Sequence, residues 1–267
     1  MTRAPRIKAR LDAERAASPS GAHVPRPQVK IRFSYAKITL MAVADSISAS
    51  IQDYAKAVYA LEARAGSAVS TNELAERLGV TPGSVSGMVR KLSEVGLVEH
   101  EPYRGVRLTD RGRRVALEVL RHHRLLELFL AEELGMPWDR VHDEAEILEH
   151  VLSDDLEQLI AARLGDPTVD PHGDPIPTAQ FEIDEGQTAS LDELPTGTVG
   201  RFVRVSDSDP EMLRYLSEQG IELGDRVEIT GRQPFGGPVF TRVDDHELPL
   251  GGQLAHAMRI EVRRLRR

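Results

Sequence analysis

Two neighbouring segments rich in histidine and glutamate, within residues 121–155, constrain this chain more than any other feature. The first carries His123 and Glu127, one helical turn apart. The second carries four such residues at spacings i, i+4, i+7 and i+8: His142, Glu146, Glu149 and His150. At about 100° per residue, these four fall on one helix face, within an arc of about 100° and a length of about 12 Å. We therefore expect two facing helices, separated by a break at residues 135–138, that form a nitrogen and oxygen cage for one or two divalent metal ions.

The alternative is a charged helix face in contact with solvent, which we would favour for an isolated His/Glu pair. Apolar residues, however, are interleaved with the charged ones in both segments: Leu125, Leu126, Leu128, Phe129, Ile147, Leu148, Val151 and Leu152. This interleaving predicts that some of the carboxylates and imidazoles are buried, and buried polar groups need partners. A metal ion is one such partner, so the pattern favours a metal site.

The composition excludes several kinds of chemistry. The chain contains no cysteine, which excludes disulfides, thiolate zinc sites and a cysteine nucleophile, and fits a reducing cytoplasm. No apolar run approaches the ~18 residues of a membrane helix, so we expect a cytoplasmic protein with no membrane partner. Because the net charge is −8, any contact with nucleic acid must come from a local basic patch.

A helix-turn-helix is predicted by a capping box at Ser70 and Glu73 and by a helix start at Thr81 and Pro82, which opens a second helix over residues 82–95. A hairpin wing follows. Small polar and basic residues of the second helix and the wing are the candidates for contacts with double-stranded DNA: Thr81, Ser84, Ser86, Gly87, Arg90, Lys91 and Arg104. The alternative is a winged helix that binds protein, but the short loop, the capped second helix and the basic wing together favour DNA.

The pattern along the whole chain predicts a mainly α-helical protein with a small β content. Long helices are expected over residues 110–134 and 138–164, and exposed apolar residues on the latter predict a homodimer. Short strands with glycine turns near the C-terminus are typical of a small antiparallel barrel. The predicted organisation is a basic tail over residues 1–43, a winged helix-turn-helix domain over 44–113, a helical metal-binding and dimerisation domain over 114–177, a linker over 178–195 and the barrel over 196–265.

Two interpretations of the basic tail remain open. It is either an arm that adds phosphate contacts to DNA, or a segment outside the true protein, with translation beginning at Met41. The sequence favours neither.

Three motifs, in this order, resemble those of the diphtheria-toxin-repressor or iron-dependent-repressor family of metal-dependent transcriptional regulators. They are H-R-L-L-E at 123–127, V-H-D-E-A-x-x-x-E-H at 141–150 followed by V-L-S-D, and D-P-H-G-D-P-I-P at 170–177. Each motif is weak alone, but their order behind a winged helix and ahead of a small barrel is specific. The resemblance covers about residues 44–265 and implies that the C-terminal barrel is SH3-like (FeoA-like).

The resemblance also implies two metal sites, and hence two ions per chain. One site takes His123, Glu127 and His142 and is completed by acids from the barrel, for which Asp209 and Glu211 lie near the matching positions. The other site takes Asp53, Glu146, Glu149 and His150. Since Asp53 belongs to the first predicted helix of the DNA-binding domain, that ion would bridge this domain to the dimer core.

The identity of the metal is indicated by two of these positions. Iron-type members of the family have Met and Cys where this chain has Asp53 and Glu146, whereas manganese-type members have Asp and Glu. Oxygen ligands suit Mn(II), while sulfur ligands shift preference towards Fe(II), so we expect Mn(II) with Fe(II) as the alternative. The chain departs from the manganese type in carrying Lys56 where those members have an acid, and in having the barrel.

A third departure concerns an anion that the iron-type members hold with a Ser and an Asn near the proline-rich motif. Here those positions are Asp170 and Asp174, beside Arg124, which predicts a direct salt bridge in place of the anion.

The expected function is therefore a homodimeric repressor that uses Mn(II) as co-repressor to control metal homeostasis genes. The alternative within the family is an Fe(II)-responsive repressor of iron uptake genes. A winged-helix regulator that senses an organic ligand around a structural metal is a further alternative. A metal-dependent hydrolase is disfavoured because the sequence supplies no candidate nucleophile or oxyanion donor.

Overall fold

A computed structural model describes residues 47–101, 104–243 and 246–262, and folds them around separate apolar cores for the N-terminal, central and C-terminal parts. The basic tail predicted over 1–43 lies outside the described residues. So do Tyr103, at the predicted tip of the wing, and the last residues of the predicted barrel, 263–265.

The N-terminal part is a winged helix-turn-helix, as predicted. Its elements are α1 (Ala49–Ala65), α2 (Thr71–Leu78), α3 (Pro82–Glu94) and the antiparallel strands β1 (Val98–Glu101) and β2 (Gly105–Leu108). The capping box is formed, since Ser70 and Glu73 each accept the other's backbone N–H. Thr81 caps α3 through Ser84 N at 3.2 Å. Apolar faces of all three helices meet in one core, which places the opposite face of α3 in solvent.

The central part is helical, but one of its predicted helices was wrong. Its elements are α4 (Asp110–Leu134), α5 (Val141–Leu148) and α6 (Asp154–Leu164). The single helix predicted over 138–164 is broken, because the Ser153 side chain accepts Leu156 N and starts a new helix whose first turn is rich in acids. Glu149 and His150 therefore lie in the turn after α5, and not on a continuous helix face with His142.

The C-terminal part is a six-stranded antiparallel sheet around its own core. Its strands are β3 (Ala189–Ser190), β4 (Val199–Val205), β5 (Arg226–Arg232), β6 (Val239–Val243), β7 (His246–Leu250) and β8 (Met258–Glu261), in the order β3-β8-β4-β5-β6-β7. Helix α7 (Pro210–Gln219) follows β4, and α8 (Gly252–Ala257) precedes β8.

The linker predicted over 178–195 is structured at both ends. Strand β3 pairs with β8, and Leu191 is fully buried in the core of the sheet, so this domain begins before residue 196. Earlier in the segment, Phe181 and Ile183 pack against the apolar cluster of Tyr59 and Leu117. These contacts depend on where the segment lies relative to the cluster in the folded protein, so the composition of the segment alone could not predict them.

The sheet domain is docked on the helical part by hydrogen bonds at the proline-rich segment. Val205 N at the end of β4 donates to His172 O at 2.9 Å, and Trp138 Nε1 donates to Ser217 Oγ of α7 at 2.8 Å. The backbone of Gly173 lies so close to β4 that a Cβ at this position would be 1.9 Å from Val203 O. This docking fixes where the chain leaves β4.

None of the helices in the described ranges is long and apolar enough to cross a membrane.

Gly112 gives a stability test with a built-in control. A Cβ at Gly112, in the first turn of α4, would lie 1.9 Å from Leu97 O, so Gly112→Ala should destabilise the fold by about 1–3 kcal/mol. Gly87 is also helical, but a Cβ there meets nothing within 4 Å. Gly87→Ala should therefore stabilise by about 0.5–1 kcal/mol. Urea unfolding measures both, and equal effects of the two changes would contradict the described packing of α4 on the wing.

Candidate metal centre

Side chains from three parts of the chain meet at one candidate metal position, the first group: His123, Glu127, His142 and Asp207. Helix α4 supplies the first two, one turn apart. Helix α5 supplies His142 from its first turn, and Asp207 follows the end of β4. One ligand atom from each residue lies within 4.8 Å of all the others.

The distances within the first group fit a divalent ion. His142 Nδ1 lies 2.9 Å from Asp207 Oδ2 and 3.4 Å from Glu127 Oε1. His123 Nε2 lies 3.1 Å from Glu127 Oε1 and 3.2 Å from His142 Nδ1. Metal–ligand bonds of about 2.1 Å at right angles place adjacent ligand atoms about 3 Å apart. The two imidazoles and two carboxylates thus already have the spacing of neighbouring ligands around one ion.

The charges in this group depend on one another. Hydrogen bonds to Asp207 and then Glu127 raise the pKa of His142 to about 10. Burial would lower the pKa of His123, but its hydrogen bonds with Glu127 and Glu149 raise that pKa to about 9. Burial would raise the pKa of Glu127, but the neighbouring imidazoles hold it well below its ordinary value. In the absence of metal, protons on the imidazoles therefore provide the positive charge that the carboxylates require.

Two buried atoms beside the first group have no hydrogen-bond partner: Glu127 Oε2 and His172 Nδ1, which lie 3.8 Å apart. His172 Nε2 lies 2.8 Å from Trp138 O, and since a carbonyl only accepts, that nitrogen carries the proton. Burial would lower the pKa of His172, but the neighbouring Glu127 carboxylate raises it to about 9. The buried Glu127 carboxylate therefore requires positive charge beside it, and the two imidazoles and two carboxylates of the first group fit a divalent metal ion.

A second group lies between the winged helix and the turn after α5: Asp53, Glu149 and His150. His150 Nε2 lies 2.9 Å from Asp53 Oδ1 and 3.4 Å from Glu149 Oε1. Its Nδ1 lies 2.7 Å from Gln52 Oε1. Helix α1 of the DNA-binding domain is therefore joined to the metal-binding part at this group.

His123 connects the two groups through its two ring nitrogens. Nε2 belongs to the first group, while Nδ1 lies 2.5 Å from Glu149 Oε2. The carboxylate of Glu146, which was predicted in the second group, instead lies with His123 and Glu149. It is held there by Lys56, whose Nζ lies 2.6 Å from Glu146 Oε1 and 2.7 Å from Glu149 Oε1. The role of Lys56 as a direct partner was not foreseen from the sequence.

The barrel residue that reaches the first group is Asp207, and not the predicted Asp209 or Glu211. Asp209 Oδ1 accepts Glu211 N at 2.9 Å and so caps α7, while the Glu211 side chain is 88% exposed. A signal for this was present, because an Asp immediately before Pro210 is typical of an N-cap followed by proline at the first helical position.

A further buried network beside the centre was also missed. His122 Nδ1 lies 3.1 Å from Glu149 O, and its Nε2 lies 3.3 Å from Glu157 Oε2. Arg121 donates to Glu157 at 2.6 Å and to Pro177 O at 2.6 Å. These contacts tie α6 and the proline-rich segment to α4, and thereby fix the turn that carries Glu149.

The predicted salt bridge of Arg124 is present. Its guanidinium lies 3.7 Å from Asp170 Oδ2 and 3.4 Å from Asp174 Oδ1, and it also donates to Pro175 O. Arg204 of β4 lies 3.5 Å from the same Asp174 oxygen. Arginines of the helical and sheet parts thus lie against the acids of the proline-rich segment, while burial raises the pKa of Asp170 well above its ordinary value.

The candidate DNA-contacting residues of α3 form one exposed surface, opposite the buried Val85, Val89 and Leu92: Thr81, Ser84, Ser86, Gly87, Arg90 and Lys91. Arg104 is exposed in the wing. The buried stripe orients this surface away from the core, so it is available to a groove of DNA.

Three family models match consecutive parts of the chain. Residues 46–106 match "Iron dependent repressor, N-terminal DNA binding domain", and residues 109–178 match "Iron dependent repressor, metal binding and dimerisation domain". Residues 189–262 match "FeoA domain". The first two descriptions are those of a DNA-binding regulator, which contradicts the alternative of a metal-dependent hydrolase.

Individual relatives agree with these matches. The iron-dependent repressor IdeR of Mycobacterium tuberculosis is 32% identical over 221 residues, which cover 78% of this chain and 95% of the relative. The diphtheria toxin repressor of Corynebacterium efficiens is 33% identical over 218 residues, which cover 78% and 93%. Among solved structures, a manganese-dependent transcriptional repressor in complex with manganese is 44% identical, with a TM-score of 0.75 over 79% of this chain and 99% of that one. The chain therefore belongs to the iron-dependent repressor family of metal-dependent, DNA-binding transcriptional repressors, and carries a C-terminal FeoA domain.

Proposed function

We propose that this repressor is a homodimer that uses Mn²⁺ as its co-repressor to control metal homeostasis genes. The observation that carries the proposal is the pairing of Asp53, on α1 of the DNA-binding domain, with His150 in the turn after α5 at 2.9 Å. Because ligands of the second group come from both domains, the occupancy of that group is coupled to the position of the DNA-binding domain.

Two ions per chain fit the two groups. His123, Glu127, His142 and Asp207 would hold one ion. Asp53, Glu149 and His150 would hold the other, and Glu146, which pairs with Lys56 beside that group, would join them as a fourth ligand. The carboxylates of both groups would be neutralised by the two positive charges of each ion. Asp53 then has a fixed partner in the metal-binding domain, and α1 is held in one orientation relative to α4. The bound state thereby selects one spacing of the two DNA-binding domains in the dimer.

The preference for Mn²⁺ rests on the donor atoms. All the residues of both groups offer only imidazole nitrogen and carboxylate oxygen, and the chain contains no cysteine. Oxygen-rich sites suit Mn²⁺, whereas sulfur ligands favour softer ions. The manganese complex of a repressor 44% identical to this chain agrees with that preference. An iron-responsive repressor is the second candidate, because curated relatives at 32–33% identity are an iron-dependent repressor and a diphtheria toxin repressor.

The homodimer is supported by an apolar surface on α5, α6 and the turn between them. Large apolar side chains there are exposed: Ile147 by 68%, Val151 by 75%, Leu156 by 48% and Leu159 by 55%. They lie within the residues that match the metal-binding and dimerisation model. A second copy of the chain is the partner that this surface fits, and a dimer would present two α3 helices to half-sites about one DNA turn apart. We place the repressor in the cytoplasm, with its DNA.

Asp53→Ala tests the coupling of metal to DNA binding. The change removes the ligand that α1 contributes but leaves the winged-helix core intact, since the Asp53 side chain is 38% exposed. We expect operator binding to require at least about tenfold more Mn²⁺, with an unchanged dimer. Fluorescence anisotropy on DNA from upstream of the gene, together with analytical ultracentrifugation, measures both.

Asp143→Ala is the matched control, because Asp143 is an exposed acid on α5 outside both groups. It removes the same charge and should leave the Mn²⁺ requirement unchanged. Asp53→Ala with wild-type operator affinity at the same Mn²⁺ concentration would contradict the bridging role.

Binding of Mn²⁺ to the first group should release protons at pH 7. The pKa values of about 9 for His123 and about 10 for His142 mean that both rings are protonated in the metal-free protein, and an imidazolium cannot bind a metal ion. The affinity should therefore rise with pH between 7 and 9, by up to about tenfold per unit for each ring. Calorimetry in two buffers of different ionisation enthalpy should show release of about two protons per ion.

His142→Gln is the control for this measurement: it removes a ligand of the first group and should abolish the proton release that belongs to that group. A binding enthalpy that does not vary with the buffer at pH 7 would show that the rings are neutral before metal binds.

A further inference from the structure

Lys56 makes contacts that the proposed function does not use. It lies on α1, three residues after Asp53, and its ammonium group touches three carboxylate oxygens. The distances from Nζ are 2.6 Å to Glu146 Oε1, 2.7 Å to Glu149 Oε1 and 2.9 Å to Glu149 Oε2. The side chain is only 17% exposed. The ammonium is thus a largely buried cation between Glu149 of the second group and the neighbouring Glu146.

Both oxygens of the Glu149 carboxylate face the ammonium of Lys56. Oε1 faces Lys56 and, at 3.4 Å, His150 Nε2, while Oε2 faces Lys56 and His123 Nδ1. A carboxylate offers about four lone-pair directions, and the hydrogen bonds from Lys56 and His123 occupy three of them. Because the ammonium lies against both oxygens, a metal ion shared by Glu149 and Glu146 requires Lys56 to leave.

Lys56 is the partner that leaves at the lowest cost. His150 is itself a proposed ligand, and His123 is held at its other nitrogen by Glu127 and His142. Lys56, by contrast, offers no lone pair to a metal ion and would be repelled by it at this distance. The Glu146 side chain is 40% exposed, which gives the ammonium a route towards solvent on that side.

We propose that Lys56 is an internal competitor of the metal ion at the second group, and so sets the concentration of Mn²⁺ at which the repressor responds. This inference rests on the proposed function of that group. In the metal-free state the ammonium holds Glu146 and Glu149 together and limits their repulsion. When the ion binds, it takes over both carboxylates and the ammonium moves away.

The proposal predicts opposite effects of one substitution on the two states. Lys56→Met keeps the apolar stem and removes the charge, so the metal-free protein should lose several degrees in Tm because its acids repel one another. The Kd for Mn²⁺ at the second group should fall by at least about tenfold, because no cation has to be displaced. The increase in Tm on adding MnCl2 should accordingly be larger for Lys56→Met than for the protein that retains Lys56.

The experiment is calorimetry and thermal unfolding of the full chain with MnCl2, in a His142→Gln background that disables the first group. Lys56→Gln is measured in parallel, because it retains a hydrogen-bond donor and remains testable if the methionine variant does not fold. Arg163→Met is the matched control, since Arg163 is 62% exposed and pairs with Glu133 away from both groups. It should change neither Kd nor the response of Tm to Mn²⁺.

The proposal is supported if the Lys56 variants bind Mn²⁺ more tightly than the His142→Gln background and have a lower Tm without metal. This holds also if the His142→Gln background alone binds no detectable Mn²⁺. An unchanged or weaker Kd in both Lys56 variants overturns it, and would mean that the ammonium orients the ligands. If, in addition, the wild-type chain binds no Mn²⁺, the proposed function fails as well.

Discussion

Every other feature of the centre depends on the charge balance around His123. The side chains of Glu127 and Glu149 are completely buried, and His123 lies between them with one ring nitrogen directed at each. A buried carboxylate without a cation or hydrogen-bond donors is strongly destabilising, so these acids require positive charge at all times. The fold supplies it from protonated imidazoles and Lys56, and a divalent ion supplies it more compactly.

This requirement is met by residues from three domains. No single helix brings enough ligands together, since α4 supplies two residues of the first group and α5 one. The docked sheet domain adds Asp207, and α1 of the winged helix adds Asp53 to the second group. Binding or loss of a cation at the centre therefore changes the electrostatic contacts of both the winged helix and the sheet domain. A metal-dependent repressor requires such a connection if the metal is to control the position of α3.

The sequence predicted what local signals encode. The cap at Thr81 and the proline after it placed the second helix of the helix-turn-helix within one residue of the bounds of α3. The spacing of His123 and Glu127 on one face of α4 was also local. Long-range contacts were not accessible in this way. The approach of Asp207 depends on how the sheet docks at Gly173, and the position of Lys56 depends on how α1 packs beside α5. The break after Leu148 was missed because Ser153 was not weighed as a cap.

The most direct test of the account is fluorescence anisotropy of the full chain on DNA from upstream of its own gene, titrated with Mn²⁺ and, without oxygen, with Fe²⁺, each against a chelator. The account predicts binding that appears at a lower free concentration of Mn²⁺ than of Fe²⁺ and is reversed by the chelator. A lower threshold for Fe²⁺ would contradict the assignment of manganese from Asp53 and Glu146. Binding that is indifferent to both metals and to the chelator would contradict the central claim that metal controls the DNA-binding domain.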